Sequence, residues 1–283
     1  MRLKSWNVGE VIAMRWGLKR RDLLFMIETL MPGRDDRERL ADLVQEDEGF
    51  IEAMLDDDRL FQRLMAEEEI LLLVSPWLFF AVLLRRAKRD LEQETFTVER
   101  RSRRKVPIFD ADQVIRLLEQ EPLRDYLAGM LASFTRVESV TVPVRVRKGV
   151  WRRYRTNDLD VEGLMRYCQA LDEEFHFEPY KRIADACLFL TGMFSEHIEV
   201  QYRYPLSRQL RPRTRGQICK SREDYEAYGR AFYRLAAEHE RARIEGLDDV
   251  LVTLSENFIL AEKPLAFLAD RYLRFARHRL FEL

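Results

Sequence analysis

A chain of 283 residues with 48 Lys+Arg against 49 Asp+Glu carries a formal net charge of −1, and 47% of it is hydrophobic. Near-neutral charge with that apolar content excludes a globally disordered chain, and the length suits one large domain or two modest ones. Its 11 Gly and 9 Pro fall below average usage, which disfavours a turn-rich β fold and favours long helices.

The first residues, Met1 to Trp6, have no apolar signal core, so no secretory leader is expected. Asn7 is a candidate cap for a short first helix. Leu23, Leu24, Ile27 and Leu30 then form a helical stripe that Met31-Pro32-Gly33 stops. The same period continues through Leu40, Leu43 and Val44, then Phe50, Ile51, Met54 and Leu55, then Leu60, Phe61, Leu64 and Met65. Ile70 to Leu84 is apolar apart from Ser75 and Pro76, but its 15 residues fall short of the ~20 a membrane span needs. Ser75-Pro76 has the chemistry of an N-cap with proline at the first helical position. The expectation is two deeply buried helices, one ending near Val74 and one starting at Pro76, with no membrane contact.

From Glu94 to Phe109 the helical pattern breaks, with extended backbone favoured at Thr95–Val98 and a basic run after it. Helices resume at about 111–119 and 123–135, joined by Glu121-Pro122. Val140, Val142, Val144 and Val146 alternate with Thr141, Pro143, Arg145 and Arg147, the period of a strand. Lys148-Gly149 can turn the chain and Val150–Arg155 can return, which predicts a β-hairpin over 140–155. Pro143 lacks an N–H, so its strand belongs at an edge. Thr156-Asn157-Asp158 is expected to open a helix carrying Leu159, Leu164, Tyr167 and Leu171. Another is expected from about Pro179 to Phe194. Ser221-x-x-Asp224 starts one carrying Tyr225, Tyr228 and Phe232, and two more close the chain near 247–258 and 265–275. The predicted fold is mainly α, a multi-helix bundle with one hairpin. Its parts are 1–92, a middle segment 93–157 and a C-terminal helical part 158–283, together one compact unit.

Cys168, Cys187 and Cys219 are odd in number and form no C-x-x-C, which predicts a reducing, cytoplasmic setting. The near-zero total hides a polarity: residues 34–69 hold 14 acids and 5 Arg, whereas 99–155 hold 14 basic residues and 7 acids. Six cations cluster on the hairpin, Arg145, Arg147, Lys148, Arg152, Arg153 and Arg155, with Trp151 and Tyr154 among them. Arginine forks suit phosphate, and rings beside cations suit base stacking. With a two-residue turn Arg145 faces Arg152, a like-charge cost that an anionic ligand would relieve. Arg100, Arg101, Arg103, Arg104 and Lys105, and the run Arg208, Arg211, Arg213 and Arg215, extend the basic surface. The order helix, helix, basic hairpin is similar to a winged helix-turn-helix, although the helix at 123–134 has few side chains able to read bases.

The expected function is therefore a non-enzymatic, cofactor-free binding protein for nucleic acid or another polyanion. One alternative is self-association through the acidic 34–69 segment and the basic segments. A second is a helical-bundle metal or small-molecule enzyme around Glu173, His176 and His197. The single Glu173-x-x-His176 lacks the second copy that a di-metal bundle needs, and no phosphate loop or nucleophile elbow occurs.

Overall fold

A computed structural model describes residues 17–94, 96–101, 104–135, 139–147, 150–157, 159–196, 198, 221–274, 276 and 280–281. At 99–101, 104–105 and in the hairpin strands it describes the backbone alone. The fold is mainly helical, as the low Gly and Pro content requires. Its contacts separate into two compact units, one of residues 1–97 and 108–135, the other of 98–107 and 136–283.

In the first unit, helices α1 (Arg20–Leu30), α2 (Arg37–Val44), α3 (Glu48–Leu55), α4 (Asp58–Ala66) and α5 (Ile70–Leu73) lead into α6 (Pro76–Gln93). Ser75 caps α6, accepting from the Leu78 N–H at 3.2 Å, and Pro76 occupies the first turn. Because Trp77 to Arg85 is buried without a break, α6 is apolar all round at its start and forms the centre of this unit. Helices α7 (Ala111–Glu119) and α8 (Glu121–Ser133) pack on it. Asp22 ties α1 to the start of α6: its carboxylate accepts from the Ser75 N–H at 2.6 Å and from the Lys19 N–H at 2.8 Å. One expectation fails here. Helix α5 is a single turn that buries only Ile70, and Leu72 is 71% exposed. Four residues have one buried position at helical period, so the apolar run 70–73 cannot all face a core.

The second unit begins with the paired strands β1 (Thr97–Arg101) and β2 (Arg104–Ile108), Thr97 and Ile108 excepted. The hairpin strands β3 (Ser139–Arg147) and β4 (Val150–Asn157) pair antiparallel, as alternation predicts, and rest against α9 (Val161–Cys168). The helix expected from Asn157 starts later, because Asn157 still pairs with Ser139 and Asp160 takes over the cap, accepting from the Gly163 N–H at 3.0 Å. Leu171 lies beyond its end.

Helix α10 (Phe177–Met193) is the axis of this unit, packed by α9, α11 (Arg222–Glu238) and α14 (Phe258–Arg271). Between them come α12 (Glu240–Glu245) and α13 (Asp248–Glu256). Ser221 and Asp224 form the expected capping box of α11. Two glycines set the approach of these helices. A Cβ on Gly192 would lie 2.7 Å from Leu265 Cβ, and one on Gly229 would lie 2.1 Å from the Phe258 ring. Cys168 and Cys187 are buried, and burial pushes the Cys168 thiol up to about 11, away from the thiolate that reacts. Asn7, Cys219 and His278 lie outside the described residues. Among the described residues no helix is long and apolar enough to cross a membrane.

Candidate nucleic-acid interface

The predicted cations fall on two ribbons. Arg145 and Arg147 lie on β3, with Arg152, Arg153 and Arg155 on β4 beside Trp151 and Tyr154. Arg100 and Arg101 lie on β1, and Arg104 and Lys105 on β2. All of these belong to the second unit, whereas α7 and α8, the helix pair expected to accompany the hairpin, belong to the first. Lys148, Arg103, Arg208, Arg211, Arg213 and Arg215 lie outside the described residues.

The register overturns the expected Arg145–Arg152 pairing. Arg145 is opposite Trp151, Val144 opposite Arg152 and Pro143 opposite Arg153, while Arg147 is opposite Val150. Two steps along β3 match one along β4, so a bulge at Val146 absorbs one residue and slides the lower ladder. The like-charge cost inferred from a regular turn therefore does not arise at that pair. A cation and an aromatic residue occupy the facing positions instead. Arg145, Trp151, Arg153 and Arg155 stand at one set of alternate register positions, and Arg152 and Tyr154 at the other.

The acidic segment finds cations close at hand. Arg20 pairs with Glu38 and Asp42, both at 2.6 Å, and Arg34 with Asp36 at 2.8 Å. Asp58 meets Arg86 at 2.8 Å and Arg89 at 3.0 Å, and Asp57 meets Arg59 at 2.8 Å. Glu52 holds two arginines that are almost fully buried, Arg85 by a short contact and Arg124 at 3.1 Å. Beside them burial raises the Asp125 carboxyl to about 6, despite Arg85 at 3.9 Å and the charge of Arg124. Every one of these partners belongs to the first unit.

The metal alternative gains nothing from its geometry. His176 uses both ring nitrogens, one with Tyr180 Oη at 3.0 Å and the other with the Leu171 carbonyl at 3.0 Å. His197 lies outside the described residues. Among the described residues no three His, Cys, Asp or Glu side chains group as a metal site would.

Two buried charge clusters escaped the sequence reading, Arg85–Glu52–Arg124–Asp125 and Arg222–Glu262 with Glu226. Their signal was present: Glu262 stands one turn from Phe258 and three residues before Leu265, on the apolar stripe of α14. Comparison with known protein families, curated proteins and solved structures finds no match for this chain.

Proposed function

We propose that this chain binds nucleic acid or a comparable polyanion in the cytoplasm, through the hairpin and the neighbouring basic ribbon. The observation that carries this reading is the local pairing of the acidic segment. Asp36, Glu38, Asp42, Glu52, Asp57 and Asp58 are engaged by arginines of their own unit, which leaves fewer carboxylates to neutralise the cations of 99–155. The same pairing weakens the alternative of self-association through opposite-charge segments. Arg145, Arg147, Lys148, Arg152, Arg153 and Arg155 contact phosphates, with Arg100, Arg101, Arg103, Arg104 and Lys105 extending the track. Trp151 and Tyr154 supply stacking surfaces, which every base accepts, so binding is tolerant of sequence.

The test is the double variant R152E/R153E against wild type in fluorescence anisotropy with a labelled 20-mer at low salt. Both substitutions fall on the strand after the turn, where charge reversal leaves the backbone ladder intact. The expected result is at least about a tenfold weaker Kd, with a shallower salt dependence, because two phosphate contacts turn repulsive. Equal affinity in the two proteins would remove the hairpin from the interface.

A further inference from the structure

One extra residue sorts the two faces of the hairpin. Counted back from a two-residue turn, a regular ladder would set Val146 opposite Trp151, Val144 opposite Arg153 and Val142 opposite Arg155. The valines of β3 would then share a face with the ring and two of the cations of β4. The bulge at Val146 slides the ladder by one residue. Trp151 stands opposite Arg145, Arg153 opposite Pro143 and Arg155 opposite Thr141, whereas Val144, Val142 and Val140 stand opposite Arg152, Tyr154 and Thr156. Residues directly opposite in an antiparallel pair share a face, and successive residues of a strand alternate between faces. One face of the ribbon therefore collects Arg145, Trp151, Arg153 and Arg155 with no valine among them, and the other collects Val140, Val142 and Val144. An antiparallel ribbon buries its apolar face and leaves the polar one to water, and the hairpin rests against α9 of its own unit.

We infer that the bulged hairpin takes its ligand on this one face, with Trp151 stacking a base among arginines that hold phosphates, so that the ligand is a nucleic acid rather than a polyanion without bases. The inference rests on the proposed binding function and narrows it. Trp151, Arg153 and Arg155 recur along β4 at intervals of about 7 Å, and Arg145 stands about 5 Å across the ladder from Trp151. A ring with a cation across from it and two more along its own strand matches a nucleotide chain, in which each base is flanked by backbone phosphates. A polyanion without bases gains from the cations alone and nothing from the ring. Arg152 stands on the valine face, so it contributes less than its neighbour Arg153, although the two carry the same charge. For the same reason Trp151 is the principal stacking residue, ahead of Tyr154.

The test compares wild type with W151A, W151F, R152A and R153A in fluorescence anisotropy at one low salt concentration, with a labelled 20-mer in one arm and labelled heparin, which has no bases, in the other. W151A should weaken binding of the 20-mer by about tenfold or more, the worth of one stacked base, and binding of heparin by less than about twofold. W151F keeps a stacking ring and should recover most of that loss. R153A should weaken both ligands by at least about threefold more than R152A does. Unchanged 20-mer binding in W151A, or an R152A loss as large as that of R153A, would overturn the inference. So would an equal loss of both ligands in W151A that W151F does not recover, which would assign the ring to the fold. Tighter binding of heparin than of the 20-mer by wild type would give the face to a polyanion without bases. Wild type that binds the 20-mer while these contrasts fail leaves the proposed function standing, whereas wild type that binds neither ligand removes that function and this inference together.

Discussion

The substitution G229A places a methyl group where no room exists. A Cβ at that position stands 2.1 and 2.3 Å from two atoms of the Phe258 ring, so α11 and α14 must part by more than 1 Å to reach an ordinary contact of ~3.5 Å. Phe258 is fully buried and cannot swing to solvent, and its ring lies 6.1 Å from that of Tyr233, one turn beyond Gly229. Tyr233 in turn donates its hydroxyl to the buried Asp185 carboxylate at 2.8 Å. Overpacking a filled core costs about 1–3 kcal/mol, and disturbing the Tyr233–Asp185 hydrogen bond adds ~1 kcal/mol or more. Replacing a helical glycine returns about 1 kcal/mol. The expected net loss is about 2 kcal/mol, read as a lower urea midpoint by circular dichroism. G129A is the matched control, a helical glycine whose added Cβ meets Trp77 at an ordinary 3.8 Å, and it should be neutral or mildly stabilising. A G229A protein as stable as wild type would refute the close packing of α11 on α14.

E52A strips the carboxylate shared by two buried guanidiniums, while the carboxylates of Asp56 and Asp125 stand 3.9 Å from Arg85. It should cost about 3 kcal/mol in urea denaturation, against less than ~1 kcal/mol for E38A at an exposed pair. Asp125 gives a pH signature. Its folded carboxyl titrates at about 6 rather than 3.8, so the folded state keeps a proton that the unfolded chain has released between those values. The stabilisation is whole below about pH 4 and is lost as pH rises to about 6, an effect of up to ~3 kcal/mol. D125N should therefore gain stability relative to wild type between pH 4 and pH 7 in denaturation series; a constant difference across that range would contradict the burial of this carboxyl.

The sequence carried the helices because their stripes are long and their caps are chemical. Ser75-Pro76, Ser221-x-x-Asp224 and the helix expected from about Pro179 all lie within two residues of the observed helix starts. Alternating valines gave the hairpin, but not its bulge at Val146, because alternation alone does not say where the ladder takes up an extra residue. The second ribbon, β1 with β2, was illegible beyond Val98 because five of the six residues from Arg100 to Lys105 are cations and show no alternation. The exposure of Leu72 was hidden by a rule that treats continuous apolar runs as core. Of the candidate site, the clustering of cations on the hairpin was readable, whereas the pairing of Arg145 with Trp151 was not. The buried carboxylates Asp125 and Glu262 could be flagged only by their places on apolar helical faces, since the cost of burying them appears only once neighbouring helices close over them.

Salt dependence tests phosphate recognition most directly. Wild-type affinity for a 20-base-pair duplex should be measured by anisotropy from 50 to 200 mM NaCl. Six hairpin cations meeting phosphates give a slope of about −5 in log K against log salt, a loss of roughly a thousandfold over that range. Tight low-salt binding that decays with such a slope is the predicted result. No binding at 50 mM, or an affinity indifferent to salt, would contradict it.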